Sequence, residues 1–187
     1  MSIPPLAEAV ATADILFDRA TVEAQIARMG SQIDLALEGE RPVFMTVMHG
    51  ALLFAAQLAL SIRTDLEFDY VHATRYRGGI TGHELHWLRE PVVPLEGRIV
   101  LLVDDILDEG HTLKAVRDAC LRMGARRVLV AVMCTKLHGR RAEGIQADFN
   151  GVDVPDRYVF GYGMDLNEQA RNLPAIYALA DKVSHEH

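Results

Sequence analysis

The chain has 187 residues, a formal net charge of −7 and a hydrophobic fraction of 50%. This length and apolar content are typical of one globular domain and argue against a disordered chain. The acidic balance argues against a general nucleic-acid binder, which usually carries a basic patch, but not against a small nucleotide ligand. No apolar run approaches the roughly 20 residues of a membrane span. We therefore expect no nucleic-acid partner and no membrane partner.

The cysteines and the first residues bear on the cellular compartment. Cys120 and Cys134 lack the spacing of metal ligands, and we expect reduced, buried thiols. Acidic residues follow soon after Met1, and the segment does not have the pattern of a signal peptide. The expected location is the cytoplasm.

The hydrophobic pattern predicts alternating helices and strands. Thr21 is expected to cap a first helix that runs to about Leu37, because apolar residues recur there at helical spacing. The further predicted elements are strand Pro42–Met48, helix Ala51–Ile62, strand Glu67–Thr74, strand Arg98–Asp104, helix Thr112–Met123, strand Arg127–Thr135 and strand Arg157–Tyr162. This order predicts an α/β fold, with a mostly parallel central sheet flanked by helices, in a single domain over residues 1–187.

Residues 75–90 differ in composition from the rest of the chain. They are rich in Gly, Arg, Thr and His, and we expect a long loop or a hairpin inserted between core elements. Long irregular segments in compact domains are often functional lids. His83 and His86 lie in this segment, but two loop histidines without a third ligand are more typical of polar loop residues than of a metal site.

Residues 99–113 carry the strongest functional signal. An apolar run of strand type ends in the adjacent acids Asp104 and Asp105, and a third acid, Asp108, comes before a glycine loop and a predicted helix start. Carboxylates at a strand end can accept hydrogen bonds from ribose hydroxyls, and the backbone N–H groups of such a loop can hold a phosphate. The residue types alone leave open a pair of solvated acids followed by an ordinary capped turn.

Three other polar clusters follow predicted strands. They are the His49-Gly50 turn, Lys136 and the region after Arg157. Ligands of open parallel sheets bind beyond the carboxyl ends of the strands. We therefore expect these clusters to share one site with the acids at 104–108.

Residues 103–113 resemble the phosphoribosyl-pyrophosphate (PRPP) signature of type I phosphoribosyltransferases: a hydrophobic strand, two acids, a third acid and then Gly-x-Thr. The other motifs resemble the hypoxanthine-guanine branch, and the likeness extends from about residue 14 to residue 175. It implies purine salvage, in which PRPP and hypoxanthine or guanine give IMP or GMP and pyrophosphate, with Mg²⁺ as cofactor. Xanthine is a further candidate base. The resemblance also implies a homodimer or homotetramer and a mobile hood loop at about 75–90.

The resemblance assigns the signature residues to the reacting sugar. Asp104 and Asp105 would bind the ribose hydroxyls, directly or through Mg²⁺, and Asp108 would be the catalytic residue near N7 of the purine. The 5′-phosphate would be bound, chiefly by backbone groups, at Glu109, Gly110, His111 and Thr112. Because a carboxylate would repel phosphate, the Glu109 side chain is expected to point away.

The purine residues follow from the same resemblance. Lys136 would bond the 6-oxo group, Tyr158 would stack on the base, and the backbone of Val159 would meet the purine edge. Taken alone, Lys136 would be a solvated lysine at a strand end, and Tyr158 would be a core aromatic.

Pyrophosphate would be bound by the His49-Gly50 turn and by Arg171, with Asp165 serving Mg²⁺. Arg171 taken alone would be a surface arginine. The hood would begin with Arg75 and Tyr76, where relatives often have Ser-Tyr. His49 also departs from the family, since many relatives have lysine there, and we expect a cis peptide between Met48 and His49.

Two alternatives remain open from the sequence. A regulator that senses PRPP or a nucleotide on the same fold could keep the acids and the glycine loop without turnover. A phosphoribosyltransferase for another base is the second alternative. Lys136 with Tyr158 favours a purine, but no residue separates hypoxanthine, guanine and xanthine.

Overall fold

The computed structural model of the chain describes residues 5–75 and 85–180. Four helices lie in these ranges: α1 (Leu6–Thr12), α2 (Arg19–Ala36), α3 (Leu52–Ser61) and α4 (His111–Arg122). The strands of these ranges are β1 (Asp14–Phe17), β2 (Val43–Val47), β3 (Glu67–Arg75), β4 (Leu85–Arg89), β5 (Ile99–Leu107), β6 (Arg127–Lys136), β7 (Phe149–Val154), β8 (Val159–Phe160) and β9 (Ile176–Ala178). None of the described helices combines the length and apolar character needed to cross a membrane.

The central sheet has six strands in the order β4-β3-β2-β5-β6-β7. All neighbours pair in parallel except β4, which runs antiparallel to β3 at one edge. The predicted α/β fold with a mostly parallel sheet is therefore confirmed.

The core lies on both faces of this sheet. Successive strand residues point to opposite faces, so Leu101 and Val103 pack with helices α2 and α3, while Val100 and Leu102 pack with α4. Strands covered on both faces are near-continuous apolar runs. That is why residues 43–47 and 99–103 carry hardly a polar side chain.

The ends of several elements differ from the prediction. Asp18, not Thr21, caps α2, because its Oδ1 accepts the Thr21 backbone N–H at 2.8 Å. Strand β5 continues past Asp104 to Leu107, because β6 still pairs with it there. Gly124 follows the end of α4 with φ of +93°, the left-handed conformation in which glycine commonly ends a helix.

The predicted strand over residues 157–162 was wrong in extent. Only Val159–Phe160 forms a strand, and it lies in a second, three-stranded antiparallel sheet in the order β1-β9-β8. Strand β7 was not predicted, since Asn150, Gly151 and Asp153 interrupt its apolar pattern.

Residues 75–90 were predicted to form a long loop or a hairpin. Strand β4 takes up residues 85–89 and pairs antiparallel with β3, so the described ends of the segment form a strand pair. This agrees with the hairpin alternative. Arg75 is the last residue of β3, whereas Tyr76 and His83 lie outside the described residues, so the hood stays a prediction.

Asp69 ties this strand pair to the segment that follows. Its Oδ2 accepts the backbone N–H groups of Val92 and Val93 at 2.6 and 2.9 Å, and its Oδ1 lies 2.8 Å from Arg89. The side chain is only 3% exposed. Burial by itself would raise the pKa of Asp69, but these hydrogen bonds outweigh it and hold the pKa below its usual range.

We expect Asp69→Asn to lower the free energy of unfolding by about 2–4 kcal/mol at pH 7. An amide cannot accept at both atoms, so at least one buried N–H loses its partner. A depressed folded-state pKa contributes stability above the unfolded value of about 3.9, and this is lost as pH falls through the folded pKa. Urea unfolding should show that the free energies of unfolding of the variant and the parent differ less at pH 3 than at pH 7. The exposed control Asp65→Asn should change little; equal stability of the Asp69 variant and the parent at pH 7 would contradict the expectation.

Candidate active site

The carboxyl end of β5 carries two adjacent carboxylates that remain partly exposed. The Asp105 backbone N–H donates to Asp104 Oδ1 at 2.9 Å, and the Ile106 N–H donates to Asp105 Oδ1 at 2.7 Å. Burial, and then repulsion from Asp105, raise the pKa of Asp104; burial raises the pKa of Asp105. Such a pair favours a bound cation or hydroxyl donors beside it.

The His49-Gly50 turn packs directly on this pair. A Cβ on Gly50 would come within 2.0 Å of Asp105 Oδ2, and a Cβ on Gly163 would come within 2.1 Å of the Gly50 carbonyl oxygen. The Met48–His49 peptide bond is cis, as expected. The exposed His49 ring meets the His72 ring edge-on, with 4.4 Å between centroids. The turn therefore approaches Asp105 through its backbone.

A cavity of about 340 Å³ lies at the start of α4. We name it the glycine cavity; it is lined by Asp104, Ile106, Asp108, Glu109, Gly110, His111, Thr112 and Leu113. All the residues predicted to bind the 5′-phosphate are in this list. The N-terminus of α4 presents backbone N–H groups without helical partners, which suits an anion.

Gly110 shapes this cavity through its backbone. Its φ is +77°, and a Cβ there would come within 2.8 Å of Ile145 and Leu107. Only glycine adopts this conformation without strain. The side chain of the neighbouring Glu109 lies 3.9 Å from Arg140, measured from Oε1 to Nε. The carboxylate of Glu109 is therefore paired with a basic side chain.

A second cavity, of about 330 Å³, lies on the other side of Asp108. We name it the lysine cavity; it is lined by Asp105, Ile106, Asp108, Lys136, Tyr158, Val159, Met164 and Asp165. All three predicted purine residues line it. Tyr158 is 41% exposed and so is not a core aromatic. Although β8 belongs to the second sheet, it brings Tyr158 and Val159 to the carboxyl end of the central sheet.

Asp108 lines both cavities. Its Oδ2 accepts a hydrogen bond from Lys136 Nζ at 2.6 Å, and its Oδ1 lies 2.6 Å from His138 Nε2. Burial alone would raise the pKa of Asp108, but the bonds from Lys136 and His138 outweigh it and lower the pKa. The carboxylate therefore stays ionised at neutral pH and can accept a proton.

Arg171 and Asp165 form a third group beside the Gly50 turn. Arg171 Nη1 donates to the Gly163 carbonyl oxygen at 2.8 Å, and its Nη2 lies 3.1 Å from Asp165 Oδ1. Burial raises the pKa of Asp105, and the nearby Arg171 guanidinium offsets a part of this rise. Arg171 is thus close to both the acid pair and the turn.

No role was predicted from the sequence for His138 or Gly163. His138 contacts Asp108, and Gly163 packs on Gly50. Lys136 and His138 are two residues apart, which on extended chain places both side chains on one side. That spacing is the signal that could have revealed His138; the contact of Gly163 has no local signal.

Known proteins resemble this chain over most of its length. The phosphoribosyl transferase domain family matches residues 12–169. The chain belongs to the phosphoribosyltransferase family. A hypoxanthine-guanine phosphoribosyltransferase of Streptococcus thermophilus is 32% identical over 170 residues, which cover 90% of this chain and 94% of the relative. The enzyme of that name from Streptococcus pneumoniae is 34% identical over 157 residues, which cover 83% and 87%.

Solved phosphoribosyltransferases share the fold. The crystal structure of a hypoxanthine-guanine phosphoribosyltransferase from Bacillus anthracis matches with a TM-score of 0.82 and 28% identity, covering 90% of this chain and 97% of that one. A hypoxanthine phosphoribosyltransferase from Staphylococcus aureus matches with a TM-score of 0.86 and 25% identity, covering 99% and 100%. The predicted resemblance to type I phosphoribosyltransferases is therefore confirmed.

Proposed function

We propose that this phosphoribosyltransferase acts in purine salvage, joining hypoxanthine or guanine to the 5-phosphoribosyl group of PRPP with release of pyrophosphate. The observation that carries the proposal is the place of Asp108 between the two cavities. A sugar phosphate in the glycine cavity and a flat base in the lysine cavity would meet at Asp108. The relatives from Streptococcus that match most of this chain bear the hypoxanthine-guanine name.

The sugar and its phosphate fit the glycine cavity. The backbone N–H groups of residues 109–112 would hold the 5′-phosphate at the α4 N-terminus, where the helix dipole favours negative charge. Asp104 and Asp105 would accept hydrogen bonds from the ribose hydroxyls. Their carboxylates would also stabilise positive charge on the sugar as the bond to pyrophosphate breaks.

The lysine cavity suits a 6-oxopurine. The Lys136 ammonium can only donate, so it matches a 6-oxo group and not the 6-amino group of adenine. Tyr158 offers an aromatic face for stacking, and Val159 lies on the cavity wall, where its backbone would meet the purine edge. Xanthine, which also has a 6-oxo group, fits the same description.

Asp108 would accept the N7 proton. When N9 of the base attacks C1′ of the sugar, the purine becomes cationic and its N7–H becomes acidic. A carboxylate with a lowered pKa stays ionised and is ready for this proton. Holding both substrates at one residue also aligns the reacting atoms.

The proposed cofactor is Mg²⁺. Asp104, Asp105 and Asp165 would hold it, directly or through water. Among the described residues, no group of three or more His, Cys, Asp or Glu side chains is arranged to hold a metal. Carboxylate oxygens fit Mg²⁺, which usually binds one or two carboxylates together with substrate phosphates. When bound, it would neutralise the departing pyrophosphate. Arg171 and the backbone of the His49-Gly50 turn would hold the other pyrophosphate oxygens.

We expect Lys136→Met to lower kcat/KM for hypoxanthine by about a hundredfold, because the 6-oxo group would lose its donor in the lysine cavity. Preference for hypoxanthine over adenine should fall by a similar factor. Steady-state rates with both bases measure the effect. Lys114→Met, which removes a surface ion pair with Asp118, is the matched control. Unchanged selectivity in the Lys136 variant would remove Lys136 from base recognition.

One assay tests the proposed function. The protein is incubated with Mg²⁺, PRPP and, in turn, hypoxanthine, guanine, xanthine and adenine, and pyrophosphate release is measured. We expect turnover with hypoxanthine or guanine and little with adenine. PRPP binding without release in the presence of any 6-oxopurine would favour the regulator instead, and turnover only with a different base would favour the second alternative.

The proposal includes a homo-oligomer, one functional domain and a cytoplasmic location. A partner copy would cover exposed apolar side chains such as Leu52 and Leu60 of α3 and Phe68 of β3, which are 50%, 85% and 61% exposed. Light scattering after size-exclusion chromatography distinguishes monomer, dimer and tetramer.

The free, buried thiols of Cys120 and Cys134 suit a reducing compartment such as the cytoplasm.

A further inference from the structure

His138 is buried beside Asp108 and has one defined hydrogen-bonding pattern. Its side chain is 2% exposed, and its Nε2 lies 2.6 Å from Asp108 Oδ1. Its Nδ1 accepts the Arg140 backbone N–H at 3.0 Å. Because Nδ1 accepts a hydrogen bond, Nε2 carries the hydrogen and donates it to the carboxylate.

The segment that carries His138 is fixed at several points. The Arg140 guanidinium binds both oxygens of Asp156, at 2.7 and 2.8 Å. The Ala142 N–H donates to the Glu109 carbonyl oxygen at 2.8 Å, which joins the segment to the loop before α4. The imidazole is therefore held in place before any substrate binds.

Unlike the imidazole of His138, the Lys136 side chain can turn toward a ligand. Its ammonium lies on the wall of the lysine cavity and would turn toward the 6-oxo group of a bound purine. His138 does not line that cavity and is too buried to meet a ligand. When Lys136 contacts the base, His138 is the partner that keeps Asp108 Oδ1 in place.

We propose that His138 is a positioning residue, which holds the Asp108 carboxylate toward N7 of the purine while Lys136 serves the base. This rests on the proposed function. The residue acts through Asp108 and touches neither substrate. Its loss should therefore lower kcat while leaving the KM for PRPP nearly unchanged.

Two amide variants separate the two hydrogen bonds of the imidazole. His138→Gln can present an N–H near the position of Nε2 and so keep the donor to Asp108. His138→Asn can accept the Arg140 N–H but is too short to reach Asp108. We expect kcat to fall about tenfold or more in His138→Asn and to be largely rescued in His138→Gln. His138→Leu, which fills the same buried space without either bond, should match His138→Asn.

A double-mutant cycle with Asp108→Asn tests whether His138 acts through Asp108. We expect His138→Asn to change kcat less than about twofold in the Asp108→Asn background. Equal losses in both backgrounds, or equal losses in the Gln, Asn and Leu variants, would overturn the proposal and indicate a merely structural histidine. Melting temperatures identify any variant that fails to fold. Parent protein without turnover on any 6-oxopurine would instead refute the proposed function.

Discussion

Asp108→Asn should lower kcat for nucleotide formation by about 10²–10⁴-fold, the range usual for loss of a general acid or base. The amide cannot take the N7 proton, although its shape matches the carboxylate. The KM for PRPP should change less than about twofold, because the ribose and the 5′-phosphate are predicted to bind to residues other than Asp108. Steady-state kinetics with hypoxanthine and PRPP give both constants.

Asp65→Asn is the control for this change, since Asp65 is 76% exposed and pairs with Arg41 on the surface. It should leave both constants as they are. Near-normal turnover of the Asp108 variant would remove Asp108 from the chemistry. A large rise in the KM for PRPP with unchanged kcat would instead assign Asp108 to binding.

Gly50→Ala should lower kcat/KM for PRPP by about a hundredfold, the order of loss that a misplacement of 1 Å can cause. The new methyl group would lie 2.0 Å from Asp105 Oδ2 and must displace that carboxylate or the turn. The opposite side gives no room, because Gly163 packs against the Gly50 carbonyl oxygen. Initial rates at varied PRPP concentrations measure the loss.

Gly139→Ala is the matched control, because a Cβ at Gly139 meets no heavy atom within 4 Å. It should leave kcat/KM near the parent value. If Gly50→Ala kept full activity and stability, the close approach of the turn to Asp105 would have no role in substrate binding.

The glycine cavity could be predicted because the residues that line it are mostly contiguous in the chain. Residues 104–112 form a strand end, a glycine turn and a helix start, each of which depends on local sequence. The cavity at the start of α4 therefore contains the residues expected from the signature. The extension of β5 past Asp104 was not predictable, since it depends on pairing with β6.

The other side of the site depends on contacts between distant parts of the chain. The second sheet joins β1 to β9 and β8, and Arg157 pairs with Asp14 across 143 positions. Local periodicity contains no trace of such pairings. The packing of Gly163 on Gly50 is also a contact between distant parts of the chain. The family resemblance, rather than the pattern of residues, led to Tyr158, Val159 and Arg171.

The position of the purine in a complex tests the central claim most directly. A crystal structure with GMP should place N7 beside Asp108, with the transferred proton on the Asp108 carboxyl as the donor. The 6-oxo group should lie on Lys136, and the 5′-phosphate at the N-terminus of α4. His138 should still contact Asp108 in that complex. A nucleotide whose base lies away from the lysine cavity, or whose N7 faces a residue other than Asp108, would contradict the account.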